Sequence, residues 1–244
     1  MESRPRKTKA LLLAGGLGTR LRPLTDTTPK CLVEVGGRPL LFHWVEKLEK
    51  AGISEALINT HHLPDQVRAA IASINRKGCL TVTESYEPKL LGSAGTVRAN
   101  SNFANDCDRV LIIYADNFST VDLNQLLAYH ETHDLGFTMT LFPTLNPRAC
   151  GIAEIDSRDT VVGFVEKPES PTSDLANSGL YVWDTQVYRE IALMNAHDIA
   201  YDVVPCFVGK MRGYRFDGFH QDIGTMEALA TAREYARKLC GGGT

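Results

Sequence analysis

Gly15, Gly16 and Gly18 stand close to three cations, Arg20, Arg22 and Lys30, near the start of the 244-residue chain. Glycine has no Cβ and reaches positive φ at little cost, so backbone N–H groups in such a loop can turn toward phosphate oxygens. The guanidinium forks and the ammonium supply complementary charge. Residues 9–14 form a short apolar run suited to a strand covered on both faces. The loop does not end in the Gly-Lys-Ser/Thr of a P-loop. It is not a dinucleotide loop either, because Leu21 stands where Gly-x-Gly-x-x-Gly needs its third glycine. A tight turn with solvated arginines would also account for a bare glycine cluster.

Carboxylates are the second group able to do chemistry. Asp116 follows the apolar run 110–115, which places it at the carboxyl edge of a strand, where open α/β sheets hold ligands. Asp222 precedes a helix expected from Met226 to about Leu239 with Thr225 as its cap; alone, Asp222 reads as a cap or turn residue. Glu166-Lys167-Pro168 closes a strand-like run and, as a bare tripeptide, is a charged strand end before a turn. Glu87 can only accept hydrogen bonds, which suits the paired N1–H and N2–H₂ donors of guanine, whereas thymine or uracil would be better served by glutamine. It could equally pair with Lys89 on the surface. Asn177 has both donor and acceptor for a hydroxyl-bearing ring, and Gly179 permits close approach.

The string from Leu13 through Gly-Gly-x-Gly-Thr-Arg-Leu-x-Pro-Leu-Thr, with Pro29-Lys30 downstream, resembles the signature of the sugar-1-phosphate nucleotidyltransferases. The order of motifs over residues 9–235 is most similar to single-domain mannose-1-phosphate or D-glycero-D-manno-heptose-1-phosphate guanylyltransferases. That resemblance implies transfer of a nucleotidyl group, GMP from GTP favoured, to a sugar-1-phosphate with release of pyrophosphate. It assigns catalysis to Arg20, Lys30 and Lys167, and a Mg²⁺ ion to Asp116 and Asp222. Leu13, Ala14, Gly15, Gly16, Gly18, Thr19, Arg20, Glu87, Gly92, Ser93 and Ala94 would surround the nucleotide. Asn117, Gly151, Glu166, Lys167 and Asn177 would surround the sugar phosphate. Two departures from the family pattern stand out: Ala115 where a glycine usually precedes Asp116, and Cys150 where an aromatic residue usually precedes Gly151. The alternatives are a thymidylyl- or uridylyltransferase, or a catalytically silent regulatory relative. Retention of Arg20, Lys30, Asp116, Lys167 and Asp222 together speaks against the silent one.

The elements that must position these residues alternate as strands and helices through the first half, a βαβ pattern. Strands are expected at 10–14, 55–60, 80–84 and 110–114, with helices over 40–50, 65–74 and near 95–101. Leu41, Trp44, Val45 and Leu48 recur at helical spacing opposite charged residues, so Trp44 and Phe42 read as core. Later segments are a helix over 123–133, strands at 137–142, 152–155, 161–165 and 179–183, helices over 185–193 and 201–208, and a strand at 214–219. The expected fold class is α/β, a Rossmann-like (GT-A-like) mixed sheet, mostly parallel, with helices on both faces and a small sugar-binding β lobe. One domain is expected over 9–240 after a flexible tail at 1–8, without the hexapeptide repeats that many larger relatives carry.

Composition is ordinary for a soluble chain: 43% hydrophobic, 23% charged, net charge -3. That balance gives no basic field for nucleic acid, so a nucleoside triphosphate and a sugar-1-phosphate are the expected partners, with self-association left open. No apolar run is long enough for a membrane span and the basic start lacks a signal core, which points to a cytoplasmic protein. The six cysteines form no C-x-x-C pair and read as free, mostly buried thiols. His61-His62 reads as a loop tether rather than a metal site.

Overall fold

The computed structural model describes residues 6–241. In chain order the strands are β1 (Thr8–Leu13), β2 (Glu34–Val35), β3 (Arg38–Pro39), β4 (Glu55–Thr60), β5 (Thr81–Tyr86), β6 (Arg109–Tyr114), β7 (Asn117–Ser119), β8 (Phe137–Pro143), β9 (Gly151–Ile155), β10 (Val161–Glu166), β11 (Leu175–Asp184), β12 (Arg212–Arg215) and β13 (His220–Asp222). The helices are α1 (Leu40–Lys50), α2 (Pro64–Lys77), α3 (Ser93–Ala99), α4 (Leu123–His130), α5 (Thr185–Leu193) and α6 (Met226–Gly241). Together they make an α/β fold on a mixed sheet. No helix among the described residues is long and apolar enough to cross a membrane.

The chain divides into two compact units. The first comprises residues 1–11, 91–113 and 121–218; the second comprises 12–90, 114–120 and 219–244. The chain passes between them repeatedly, and one crossing lies inside β1, so no loop composition marks a boundary.

In the second unit β4 pairs in parallel with β5, and a short antiparallel ladder joins β7 to β13 with Asn117 opposite Asp222. Helix α1 buries Leu40, Leu41, Trp44, Val45 and Leu48 as its spacing requires. It ends in a Schellman turn: Gly52 has φ 69°, its N–H donates to the Glu49 carbonyl, and the Ile53 N–H donates to Leu48. The Trp44 indole N–H donates to the Asn117 carbonyl at 2.9 Å, which fixes β7 against the helix. A core of Leu21, Val33, Val35, Leu40, Phe118, Ile223 and Leu229 completes the packing. Three of these residues, Leu21, Phe118 and Ile223, lie within two positions of Arg20, Asp116 and Asp222, so burial of the core aims the charged side chains. Thr225 Oγ1 accepts the Ala228 N–H at 3.2 Å and caps α6 as expected.

The first unit is organised around β11, which pairs antiparallel with β6, β8 and β9, while β12 adds in parallel to β8. Its order begins before residue 9: Lys7 N–H donates to Asp108 Oδ2 at 2.6 Å, and Arg6 pairs with Asp184. Of the expected tail, residues 1–5 lie outside the described residues. The helix expected over 201–208 is instead a π turn at Ile199–Val203 followed by a 3₁₀ turn at Val204–Phe207. Pro205 lacks the N–H that an α-helix would need there, and the Asp198 side chain caps the π turn by accepting from Ala200 and Tyr201. The strand expected at 214–219 lies at Arg212–Arg215 and stops before the Asp217-Gly218 turn. Nor are the cysteines mostly buried: all five whose side chains are described are free, but only Cys31 is buried, and Cys79 and Cys206 are exposed. Spacing carries no information on which face of an element a small residue takes.

Ile223 is fully buried beside Asp222. Ile223→Ala should lower the unfolding free energy by about 2–5 kcal/mol, read as an earlier urea midpoint. A change below about 0.5 kcal/mol would show that this core does not hold the site.

Candidate active site

Lys30 sits at the centre of the second unit's polar cluster. Its ammonium is 2.7 Å from Asp116 Oδ2 and 2.7 Å from Asp222 Oδ1, and the residue is only 7% exposed. Burial opposes the charge, but the two carboxylates outweigh it and hold the Lys30 pKa above the ordinary lysine value. The β7–β13 register is what brings Asp222 to Asp116, and the Ile223 N–H also donates to the Asp116 carbonyl at 3.2 Å. Arg20 Nη2 lies 3.7 Å from Asp222 Oδ2. Gly224 is needed for this approach, since a Cβ there would stand 2.7 Å from that nitrogen. Arg22, expected to add charge to the loop, pairs instead with Asp26 at 3.1 Å on the surface.

A small cleft beside Lys30 is lined by Leu13, Ala14, Gly16, Cys31 and Asp116. Burial pushes the Cys31 thiol up to about 12, so it lines the cleft as a neutral, unreactive group. The glycine loop has two anchors. Thr25 Oγ1 donates to the Gly18 carbonyl at 2.7 Å, and Gly18, at φ 61°, has no room for a Cβ against that threonine. At the other end Asn59 Oδ1 accepts from the Ala14 and Gly15 N–H groups at 2.6 and 3.2 Å. The second hand of Asn59, Nδ2, donates to Glu87 Oε1 at 3.0 Å, and Glu87 is 2% exposed. The surface pairing with Lys89 considered for Glu87 is therefore not what this side chain does. His61 Nδ1 and His62 Nε2 bond the carbonyls of Glu87 and Thr25, both at 2.7 Å, as loop tethers. Asn117 is buried in the same unit, opposite Asp222 in the ladder.

In the first unit Glu166 pairs across the β9–β10 ladder with Gly151. A Cβ on Gly151 would stand 2.3 Å from Glu166 Oε2 and 2.6 Å from the Phe164 ring, so only glycine lets that carboxylate lie over the strand. Lys167 has φ 49°, a left-handed conformation that costs about 1–2 kcal/mol for a side-chain-bearing residue, and its N–H donates to the Cys150 carbonyl. Its ammonium is exposed, 4.0 Å from Glu166. Asn177 accepts the Gly179 N–H at 3.0 Å and donates to the Tyr181 hydroxyl at 2.6 Å, at an irregularity in β11. Gly92, Ser93 and Ala94 also belong to this unit. Ser93 Oγ donates to Asp198 Oδ2 and accepts from Ile199, and the Ala94 N–H donates to the His197 carbonyl. Gly92, at φ 78°, has no space for a Cβ against that carbonyl.

The family model described as nucleotidyl transferase matches residues 9–238. The chain belongs to the nucleotidyl transferase family. It is 31% identical over 228 residues to a mannose-1-phosphate guanyltransferase of Emericella nidulans, covering 91% of this chain and 62% of that protein. A mannose-1-phosphate guanylyltransferase of Mycobacterium tuberculosis is 32% identical over 222 residues, covering 89% and 61%. The chain thus spans about three fifths of the length of these relatives. A solved structure from Bacillus anthracis, assigned provisionally as a glucose-1-phosphate thymidylyltransferase and holding sucrose, matches with TM-score 0.85 and 27% identity over 94% of this chain and 95% of that one.

Asn59 and Asp198 lie outside the motifs of the sequence, and Thr25 closes one of them without a role of its own. Asn59 had a usable signal, since it is an amide at the carboxyl end of an apolar parallel strand. Asp198 had none, because its contacts come from Ser93 and the π turn.

Burial raises the Glu166 pKa; Lys167 works against that, and Asp198 adds to it. The folded chain therefore binds this proton more tightly than the unfolded chain does. The stabilisation is present at low pH and is lost as pH rises through the raised value. Glu166→Gln removes the titration, so its melting temperature relative to the parent should climb between about pH 4 and about pH 7. A difference that stays flat across that range would contradict the buried, charge-averse setting of Glu166.

Proposed function

We propose that this chain transfers GMP from GTP to a mannose-type or manno-heptose-type sugar-1-phosphate, releasing pyrophosphate. The observation that carries the reading is the Lys30 ammonium held between Asp116 and Asp222 beside a glycine loop. Two polyanions react in such a transfer. A sugar-phosphate oxygen bonds to the α-phosphorus while the bond from that phosphorus to the pyrophosphate oxygen breaks. Little covalent help is needed, so positioning and charge neutralisation carry the rate. Arg20 and Lys30 supply cations to the triphosphate, and the loop supplies backbone N–H groups. In the other unit Lys167 meets the sugar phosphate, with Glu166, Gly151 and Asn177 toward the sugar hydroxyls.

Asp116 and Asp222 suit a Mg²⁺ ion. They already converge on one cation, and magnesium commonly takes one or two carboxylates with phosphates and waters completing its shell. Bound there, the ion would neutralise phosphate charge and polarise the α-phosphoryl group. The choice of guanine draws on the relatives' names and on the acceptor-only chemistry of the Glu87 carboxylate, one oxygen of which already accepts from Asn59. The Bacillus anthracis likeness makes thymidylyl transfer the second reading.

Asp116→Asn and Asp222→Asn should each lower turnover by about 100-fold or more, beyond any loss of folded protein read from the melting temperature, and excess EDTA should abolish pyrophosphate release. Full activity in EDTA would remove the metal from the reading. For the base, GTP, dTTP, UTP, CTP and ATP are compared against several sugar-1-phosphates. The parent should favour GTP. Glu87→Gln should cost GTP about 1–3 kcal/mol more than it costs dTTP or UTP, because an amide sets a donor against a guanine donor. A parent that prefers dTTP would establish the thymidylyl reading instead.

A further inference from the structure

The Asn59 amide makes three directed contacts at once: Oδ1 to the N–H groups of Ala14 and Gly15, and Nδ2 to Glu87 Oε1. Only one amide orientation satisfies this arrangement, since the loop presents donors and the carboxylate presents acceptors. Asn59 is 5% exposed, and Gly15 packs so closely that a Cβ would stand 2.8 Å from Nδ2. Its backbone is set by the parallel β4–β5 pairing, and the neighbouring Thr60 carbonyl accepts the Glu87 N–H at 2.8 Å.

We propose that Asn59 is a positioning residue that fixes the first turn of the glycine loop, and that Glu87 sets its orientation. Two consequences follow. The N–H groups of Ala14 and Gly15 are spent on Asn59, which leaves the loop from Gly16 to Thr19 to meet phosphate oxygens. The residue assigned to the base and the loop assigned to the phosphates also become one hydrogen-bonded piece, so a change at Glu87 is felt at the loop. The link to base and phosphate rests on the nucleotidyl-transfer reading; the holding of the loop does not.

The test exchanges the polarity of the pair. Asn59→Asp can still accept from the loop but sets a carboxylate against Glu87. Combining it with Glu87→Gln restores a donor, because the glutamine amide can donate to the new carboxylate. Amide hydrogen exchange of Ala14 and Gly15, read by NMR without nucleotide, should speed up by about tenfold or more in Asn59→Asp and return most of the way in the double variant. Apparent KM for the triphosphate should follow the same order, rising about tenfold in the single variant and recovering in the double when measured with the base the double variant prefers. Exchange that is unchanged in Asn59→Asp, or a double variant no better than the single in protection, overturns the proposal. The exchange experiment uses no substrate, so a wrong base or a wrong reaction would show only in the kinetic measurement.

Discussion

A buried ammonium cannot stand alone in a protein interior, and the arrangement of the second unit follows from satisfying Lys30. Two carboxylates at 2.7 Å supply that compensation, and both must come from backbone that is itself held firmly. The β7–β13 ladder sets their spacing. The Trp44 indole pins β7, and the core around Phe118, Ile223 and Leu229 pins the ladder from beneath. The one ammonium balances one of the two carboxylate charges. Asp222 also lies within ion-pair range of Arg20, so the same carboxylate orients the loop's first arginine.

Close approach to glycine recurs in both units. Gly15 lies under the Asn59 amide, and Gly151 lies under the Glu166 carboxylate; in each case a single methyl group would collide with the polar atom. A polar side chain lying flat on backbone is fixed by sterics as well as by hydrogen bonds. Such fixing matters for a reaction whose rate comes from placement more than from covalent chemistry. Lys167 shows the same economy of position in another form, since a left-handed backbone at a lysine is retained next to Glu166 at the end of β10.

Local order and chemistry were readable from the chain because they depend on near neighbours. The period of Leu40, Leu41, Trp44, Val45 and Leu48, ended by Gly52, is a property of a dozen consecutive residues, and α1 formed where it was expected. The apolar runs that became β1, β4 and β6 were legible for the same reason, as was Thr225 at the start of α6. The residue types of the nucleotidyl transferase family, from Gly15 to Asp222, were visible as a string in order, and the family match over 9–238 agrees with them.

Partners remote in sequence had to await the fold. That Asp222 stands opposite Asn117 is a matter of strand register, which no local pattern encodes. Glu87 turned inward to Asn59 and Ser93 was taken up by Asp198, each because backbone distant in sequence delivered a buried partner. The exposure of Cys79 and Cys206, and the π turn in place of a regular helix at 201–208, were settled likewise by packing and by Asp198 and Pro205. The sequence by itself determined most of the elements and which chemical groups are present. Only the tertiary structure decided which groups meet, because a hydrogen bond depends on distance and direction in space, and those are fixed by the register and packing of elements far apart along the chain.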